Sequence, residues 1–266
     1  MKPAAEVRRI LYRRNLLTLG GLAIIGVLTA VSSAATQFSF VQGVASFPKA
    51  MTWMARNFVP TERTLRALPD VCVKTGETVL VSIMATVLAA AVALVLALLA
   101  ARTTRPHPVL SAVVRLIASV CRNVPVVAWA MIFLLSFGQS VLTGLLSLFI
   151  GSVGYLTRAY AEAIDETAES SVEALHAAGA SWPHTVAQAV LPSVMPQLTS
   201  WMLYMVETNV RDATLVGILT GTGIGFLFDI YYKSMNYASA ALVVVAVVLV
   251  VLAIESTSNA LRRAIL

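Results

Sequence analysis

The chain has 266 residues, 58% of them hydrophobic and only 12% charged, with a mean hydropathy of +0.83. That charge content excludes an ordinary soluble domain and suits one membrane domain of about five to seven spans, each needing roughly 20 apolar residues. The net charge of +6 is read as basic residues at membrane edges rather than a nucleic-acid footprint, and no zinc spacing, phosphate loop or catalytic triad pattern occurs.

Six spans are predicted, near Leu16–Ser33, Thr78–Ala101, Leu110–Phe137, Val141–Leu156, Val194–Thr214 and Ala238–Leu261. The Val, Leu and Ala runs at Val79–Ala101 and Ala238–Ile254 are too long for strands and lack a period of two, so they read as lipid-embedded helices. The fold class is an all-α membrane protein. The first run follows Arg8, Arg9, Arg13 and Arg14 and ends in Ser33-Ala34-Ala35, which also describes a secretory signal; it is expected to be a retained membrane helix.

The following segment, Ala34–Glu77, is expected as an external loop closing an N-terminal region 1–77, ahead of a core membrane domain 78–266. Phe47, Met51, Trp53, Met54 and Phe58 recur near three and four residues, which allows either a surface-lying amphipathic helix or a loop packed on the bundle. Basic residues at both ends of the chain, with Arg102, Arg105 and Arg158 after spans two and four, place both termini in the cytoplasm. Lys49, Arg56, Arg63, Arg66 and Lys74 in the external loop oppose that orientation. Cys72 and Cys121 are expected as two unrelated thiols, and His107, His176 and His184 as surface or interface residues rather than metal ligands.

In span three, Arg115 and Arg122 are seven residues apart and share a face, and Pro125 can kink the helix. Arg122 suits either a forked contact to an oxyanion on a passage or an anchor at the inner membrane edge.

A polar island at 162–192 interrupts the membrane-length runs. Ser170 and Glu173 have capping-box spacing, Val172 and Leu175 share an apolar face, and Gly179 suits a helix end. Ser181 can cap a second short helix with Pro183 in its first turn, before Pro192 and Pro196 enter span five. Local chemistry alone gives helix, glycine turn, helix, with a structural loop as the plain reading.

In span five, Glu207 and Arg211 lie four apart on one face beside Asp212, with Asn209 and Thr214 as further hydrogen-bonding groups. Charges in a span cost about 2.5–3.5 kcal/mol each on insertion scales and face a cavity or a partner. They read either as a polar lining or gate, or as a self-satisfied ion pair. Gly217, Gly221, Gly223 and Gly225 then allow a broken, gate-forming turn, or a plain external hairpin.

Glu173-Ala174-Leu175, Gly179 and Leu191-Pro192 resemble the EAA signature of ABC importer permeases, with Leu175 in place of the second alanine and Ala189 in place of an isoleucine. Arg122-Asn123-Val124-Pro125, Trp129-Ala130, Ile132-Phe133, Glu162-Ala163-Ile164, Glu207–Thr214 and Gly221–Phe226 are similar to the phosphonate-type branch, from about Thr78 onward. Val126 and Thr222 depart from it, where a glutamate and a glycine are expected. The resemblance implies a type I importer-like permease fold with a cytoplasmic coupling helix. Glu173, Ala174, Leu175, Gly179, Ala180 and Ser181 would couple to the ATPase. Arg122, Glu207, Asn209, Arg211, Thr214, Gly221, Gly223 and Gly225 would form the pathway or gate. It further implies a homodimer of permease chains in the bacterial inner membrane, with two cytoplasmic ATPase subunits and an external binding protein. ATP and Mg would bind only on the ATPase, and this chain would have neither catalytic nor metal-binding residues. The expected cargo is phosphonate, phosphite, phosphate or another small solute. An intramembrane enzyme using Glu207, Arg211 and Asp212, or a scaffold, are the competing readings.

Overall fold

The chain is described by a computed structural model covering residues 4–265, in which the regular structure is helical and no strand occurs among the described residues. It divides into two compact units, one ending at Asn57 and one beginning at Phe58.

The first unit holds α1 (Ala4–Ala35) and α2 (Phe40–Asn57). Leu11–Ala35 is long and apolar enough to cross a membrane. The α2 sequence places Phe40, Val44, Phe47, Met51 and Met54 at steps of four and three, one stripe of an amphipathic helix, and these side chains are exposed. The segment is therefore helical rather than a loop.

The second unit begins with α3 (Glu62–Arg66), whose first turn is closed by a reciprocal Thr61–Thr64 capping box. Next comes α4 (Leu68–Ala100), which starts well before the expected span because Pro69 sits in its first turn and Val71 packs against Ile224, Leu227 and Val243. The last ten residues of the expected loop are thus helix. The chain continues through α5 (Pro108–Asn123), α6 (Val126–Phe137) and α7 (Val141–Thr167). The island follows as α8 (Glu169–Ala177), α9 (Trp182–Thr185) and a π-turn (Val186–Val190). Then come α10 (Leu191–Thr220), α11 (Gly223–Lys233) and α12 (Tyr237–Ile265).

The centre of this unit is α4 against α7. The buried face of α4 is a stripe of small residues: Ser82, Ala85, Thr86, Ala89, Ala93, Ala97 and Ala100. It packs against α7, whose buried face also carries the small residues Gly144, Ser147, Gly151 and Ser152, with Gly144 turned to α10 and Gly151 to Val126 of α6. Lipid is as apolar as leucine, so such helices associate through close packing and hydrogen bonds, which small residues permit. The two helices run in the same direction, with Ala85 clustering with Leu148 near one end and Ala97 and Ala100 with Tyr160 and Ile164 near the other. α10 returns antiparallel, so that Thr220 approaches Gly144, Asn209 meets Ser152 and Gln197 meets Thr167. Leu80, Val87, Leu88 and Val95 on α4, and Val244, Val248 and Leu252 on α12, form exposed apolar faces suited to lipid.

Four helices are long and apolar enough to span a membrane, and six spans result when each bent pair counts as one. The expected third span is such a pair: α5 and α6 meet at 91°. Pro125 supplies no N–H at the bend, and the Cys121 carbonyl just before it accepts instead from Trp129 Nε1 at 3.2 Å. α7 runs eleven residues past the predicted end at Leu156, because Tyr160, Ala161, Ala163 and Ile164 are buried against α4 and α10. Residues 162–167 of the island thus belong to that helix.

Candidate functional site

The island folds into an elbow fixed at three points. α8 does not begin with the Ser170–Glu173 capping box. Ala168 is its N-cap, in helical conformation and without a side-chain bond, since the chain passes from α7 into α8 with only a one-residue step. Val172 is buried in the main cluster with Ala168, Val190 and Val194. The helix closes as a Schellman motif: Gly179 N–H donates to the His176 carbonyl at 3.0 Å and Ala180 N–H to the Leu175 carbonyl at 3.0 Å. Gly179 has φ of +78°, a left-handed conformation that costs a side-chain-bearing residue about 1–2 kcal/mol. Ser181 stands at the N-cap of α9, but its hydroxyl makes no cap bond. Trp182 Nε1 donates 2.7 Å to the Thr104 carbonyl in the α4–α5 turn. Glu173, Ala174 and Ser181 are exposed, while Leu175 and Ala180 are half-buried. The elbow is thus pinned from beneath and leaves an open outer face.

A second clamp stands beside it. Asp165, near the end of α7, accepts from Thr103 N–H at 3.1 Å and from Thr103 Oγ1 at 2.8 Å. Its other carboxylate oxygen lies 3.8 Å from Arg115 Nη2, and Arg115 donates through Nε and Nη2 to the Ala100 carbonyl at 3.0 and 2.7 Å. Three hydrogen bonds therefore tie the α4–α5 turn, two to α7 and one to α9. Sequence reading did not single out Thr103, Thr104, Asp165 or Trp182, whose partners lie 62 and 78 positions away.

The polar residues of α10 divide into two settings. Asn209 is fully buried where α4, α7 and α10 meet, donating through Nδ2 to Thr86 Oγ1 at 2.8 Å and Ser152 Oγ at 2.7 Å. Both hydroxyls spend their own protons on carbonyls four residues back, Ser82 and Leu148, which frees their lone pairs for the amide. Ser82 Oγ donates to the Asn209 carbonyl at 3.2 Å, and Asn209 Oδ1 has no partner among the described residues. The i, i+4 series Thr78, Ser82, Thr86 in an otherwise apolar span is the signal that could have revealed this face. Glu207 and Arg211 form the i, i+4 ion pair at 3.0 Å; the carboxylate is 13% exposed and the guanidinium 46%. Thr214 is half-buried and donates to the Val210 carbonyl.

The glycines form the corner between α10 and α11, where the helices bend by 54°. Gly221 ends α10 in left-handed conformation, and Gly223 opens α11. A Cβ on Gly225 would fall onto the Thr214 carbonyl, so only glycine lets the two backbones approach this closely. The corner is anchored to α4: Ile224 N–H donates to Thr78 Oγ1 at 2.8 Å and Gly223 N–H to Glu77 Oε1 at 3.3 Å.

Arg122 lies elsewhere, in the last turn of α5. It lines a cavity of about 490 Å³ between the end of α4, α5 and α7, on the same end of the bundle as the elbow.

Residues 93–265 match the family described as "Binding-protein-dependent transport system inner membrane component". The chain is 33% identical over 193 residues to a phosphate-import permease protein, PhnE, of Mycolicibacterium smegmatis, covering 73% of this chain and 36% of that protein. It is 35% identical over 187 residues to a phosphite transport system permease protein, PtxC, of Stutzerimonas stutzeri, covering 70% of this chain and 68% of that one. The chain therefore spans about a third of the length of the first relative and two thirds of the second. In fold it is similar to a chain of the MetNI methionine ABC transporter in an inward-facing conformation, with a TM-score of 0.66 at 19% identity, covering 77% of this chain and 99% of that chain.

Proposed function

The chain belongs to the inner-membrane component family of binding-protein-dependent transport systems, and on that premise we propose that it forms the passage for a phosphorus oxyanion in an ATP-driven importer. The observation that carries the reading is the elbow: a short helix pinned by buried Val172, closed at Gly179, and otherwise open on its outer face. A helix this short is marginal alone in water. One held so firmly from one side is built to receive another surface on the other.

In this reading the partner is a cytoplasmic ATPase that binds ATP and Mg, and Glu173, Ala174, Leu175, Gly179, Ala180 and Ser181 form the docking face. The elbow then lies in the cytoplasm, as do both termini, and an external binding protein delivers cargo at the opposite end. Closure of two ATPase subunits draws two elbows together, and rigid α7 and α10 carry that displacement through a two-state bundle. The passage runs between two permease chains, here two copies of this one, with Glu207, Arg211, Thr214 and the Gly221–Gly225 corner as lining or gate. Asn209, buried at the three-helix junction, holds that lining in register. Phosphonate, phosphite and phosphate are the cargo class; phosphate and phosphite stand in the names of the two relatives.

The test is reconstitution with candidate ATPase and binding-protein subunits in proteoliposomes. ATP-dependent accumulation of phosphite or a phosphonate supports the proposal; a complex that forms but transports no phosphorus oxyanion rejects the cargo class. Mass measurement of the same complex separates two copies of this chain from a mixed pair.

A further inference from the structure

We propose that the cavity between the end of α4, α5 and α7 is a weak binding site for a phosphorus oxyanion, with Arg122 as its anchoring group. The inference deepens the cargo reading above and rests on it. Four arginines reach this one space: Arg102, Arg115, Arg122 and Arg158. Two of them are already engaged. Arg115 is committed to the Ala100 carbonyl, and Arg158 Nε is 2.7 Å from Glu162 Oε1. Arg122 and Arg102 form no ion pair among the described residues, so their donors are available to an incoming anion.

Arg122 is also the best-placed of these. Its backbone is packed so closely on α7 that a Cβ on Gly154 would come within 2.7 Å of the Arg122 nitrogen. The residue stands immediately before the 91° bend, so its base is fixed while its side chain is exposed. A guanidinium offers planar paired donors that match two oxygens of a phosphorus oxyanion. A volume of about 490 Å³ holds such an anion with its water or with an organic substituent.

The carboxylates explain why binding is weak. Glu162, Asp165 and Glu166 line the same space. They pair with or stand near the arginines and repel an anion, leaving a formal excess of one positive charge over the seven ionised side chains. A site that is attractive yet internally compensated lets cargo enter and leave, as a passage requires. The same chemistry is borne by a free oxyanion and by an anionic lipid headgroup, and the experiment separates these sources.

Permease–ATPase complex without binding protein is placed in phosphatidylcholine nanodiscs and titrated calorimetrically with phosphite and with methylphosphonate. Saturable binding is expected in the wild type, weakened tenfold or more in Arg122→Ala, and weakened less in Arg122→Lys, which keeps charge but loses the fork. Glu162→Gln, which releases Arg158, is expected to tighten binding. Each of these residues is surface-exposed, so the variants should fold; normal ATPase co-purification checks this. Absent binding in the wild type, or equal affinity in Arg122→Ala, overturns the proposal. Occupancy seen only when phosphatidylglycerol is included, with no response to phosphite, assigns the cavity to a headgroup and overturns it equally. Uptake by the full system separates the two levels: transport with a silent cavity removes this site alone, whereas no transport of any phosphorus oxyanion removes the functional reading.

Discussion

Trp182 and Thr104 are 78 positions apart in sequence yet share a 2.7 Å hydrogen bond, indole N–H to carbonyl, that ties the outer elbow to the turn between α4 and α5. Thr103, its neighbour, is held by Asp165 of α7. The turn thus joins the last residues of α7 to α9.

Trp182→Phe keeps the ring and removes the donor. A hydrogen bond of this kind contributes about 0.5–1.5 kcal/mol. The permease–ATPase complex should still assemble, while stimulation of ATP hydrolysis by loaded binding protein should fall by about two- to tenfold. Unchanged stimulation would show that the bond plays no part in transmission.

Gly179→Asp places a side chain at φ +78° on the exposed face of the elbow. The strain of about 1–2 kcal/mol is local, so the helical content of the bundle by circular dichroism should be retained. ATPase co-purification and uptake should be lost. Gly179→Ala carries at least as much backbone strain but less bulk and no charge, and should lose less.

Asn209→Ala removes both donors to Thr86 and Ser152 and leaves a void at a three-helix junction. Interhelical polar bonds in membranes average about 0.6 kcal/mol and reach about 1.7. With the lost packing, the variant should be less stable by about 1–3 kcal/mol in detergent unfolding. Thr86→Ala/Asn209→Ala should cost less than the sum of its parts, because the two residues share a bond.

Arg211→Ala breaks the pair with Glu207 at an exposed position. Uptake should fall several-fold while expression and ATPase association stay near wild type. Equal loss of assembly and uptake would mean that the pair only supports the helix.

Gly225→Ala sets a methyl group against the Thr214 carbonyl, a backbone atom that cannot rotate away. Overpacking of this kind costs about 1–3 kcal/mol, and the α10–α11 corner must open to accept it. The variant should show a lower thermal midpoint and faster proteolysis near residues 221–225.

Much of the architecture was legible in the chain because membrane solvent imposes simple demands. A span must be long, apolar and internally hydrogen-bonded, so α1, α4, α7 and α12 announce themselves by length and composition. Gly179 announced the end of α8 because a left-handed residue has few alternatives. The ion pair Glu207–Arg211 was readable because four residues make one helical turn. Other features depend on partners far away in sequence. The Ser170 hydroxyl was available to cap α8, but packing of Ala168 and Val172 under the elbow started the helix earlier. Pro125 signalled a kink, but not that α5 and α6 would turn through 91° around Gly151 and Gly154. Asn209 looked like a lining residue on its own helix; only the placement of Thr86 and Ser152 on two other helices made it a buried knot. Sequence periodicity governs what a segment does along its own axis. Which segments then share a donor, a void or a clamp is decided when the helices pack, because those energies exist only between surfaces brought together by the fold.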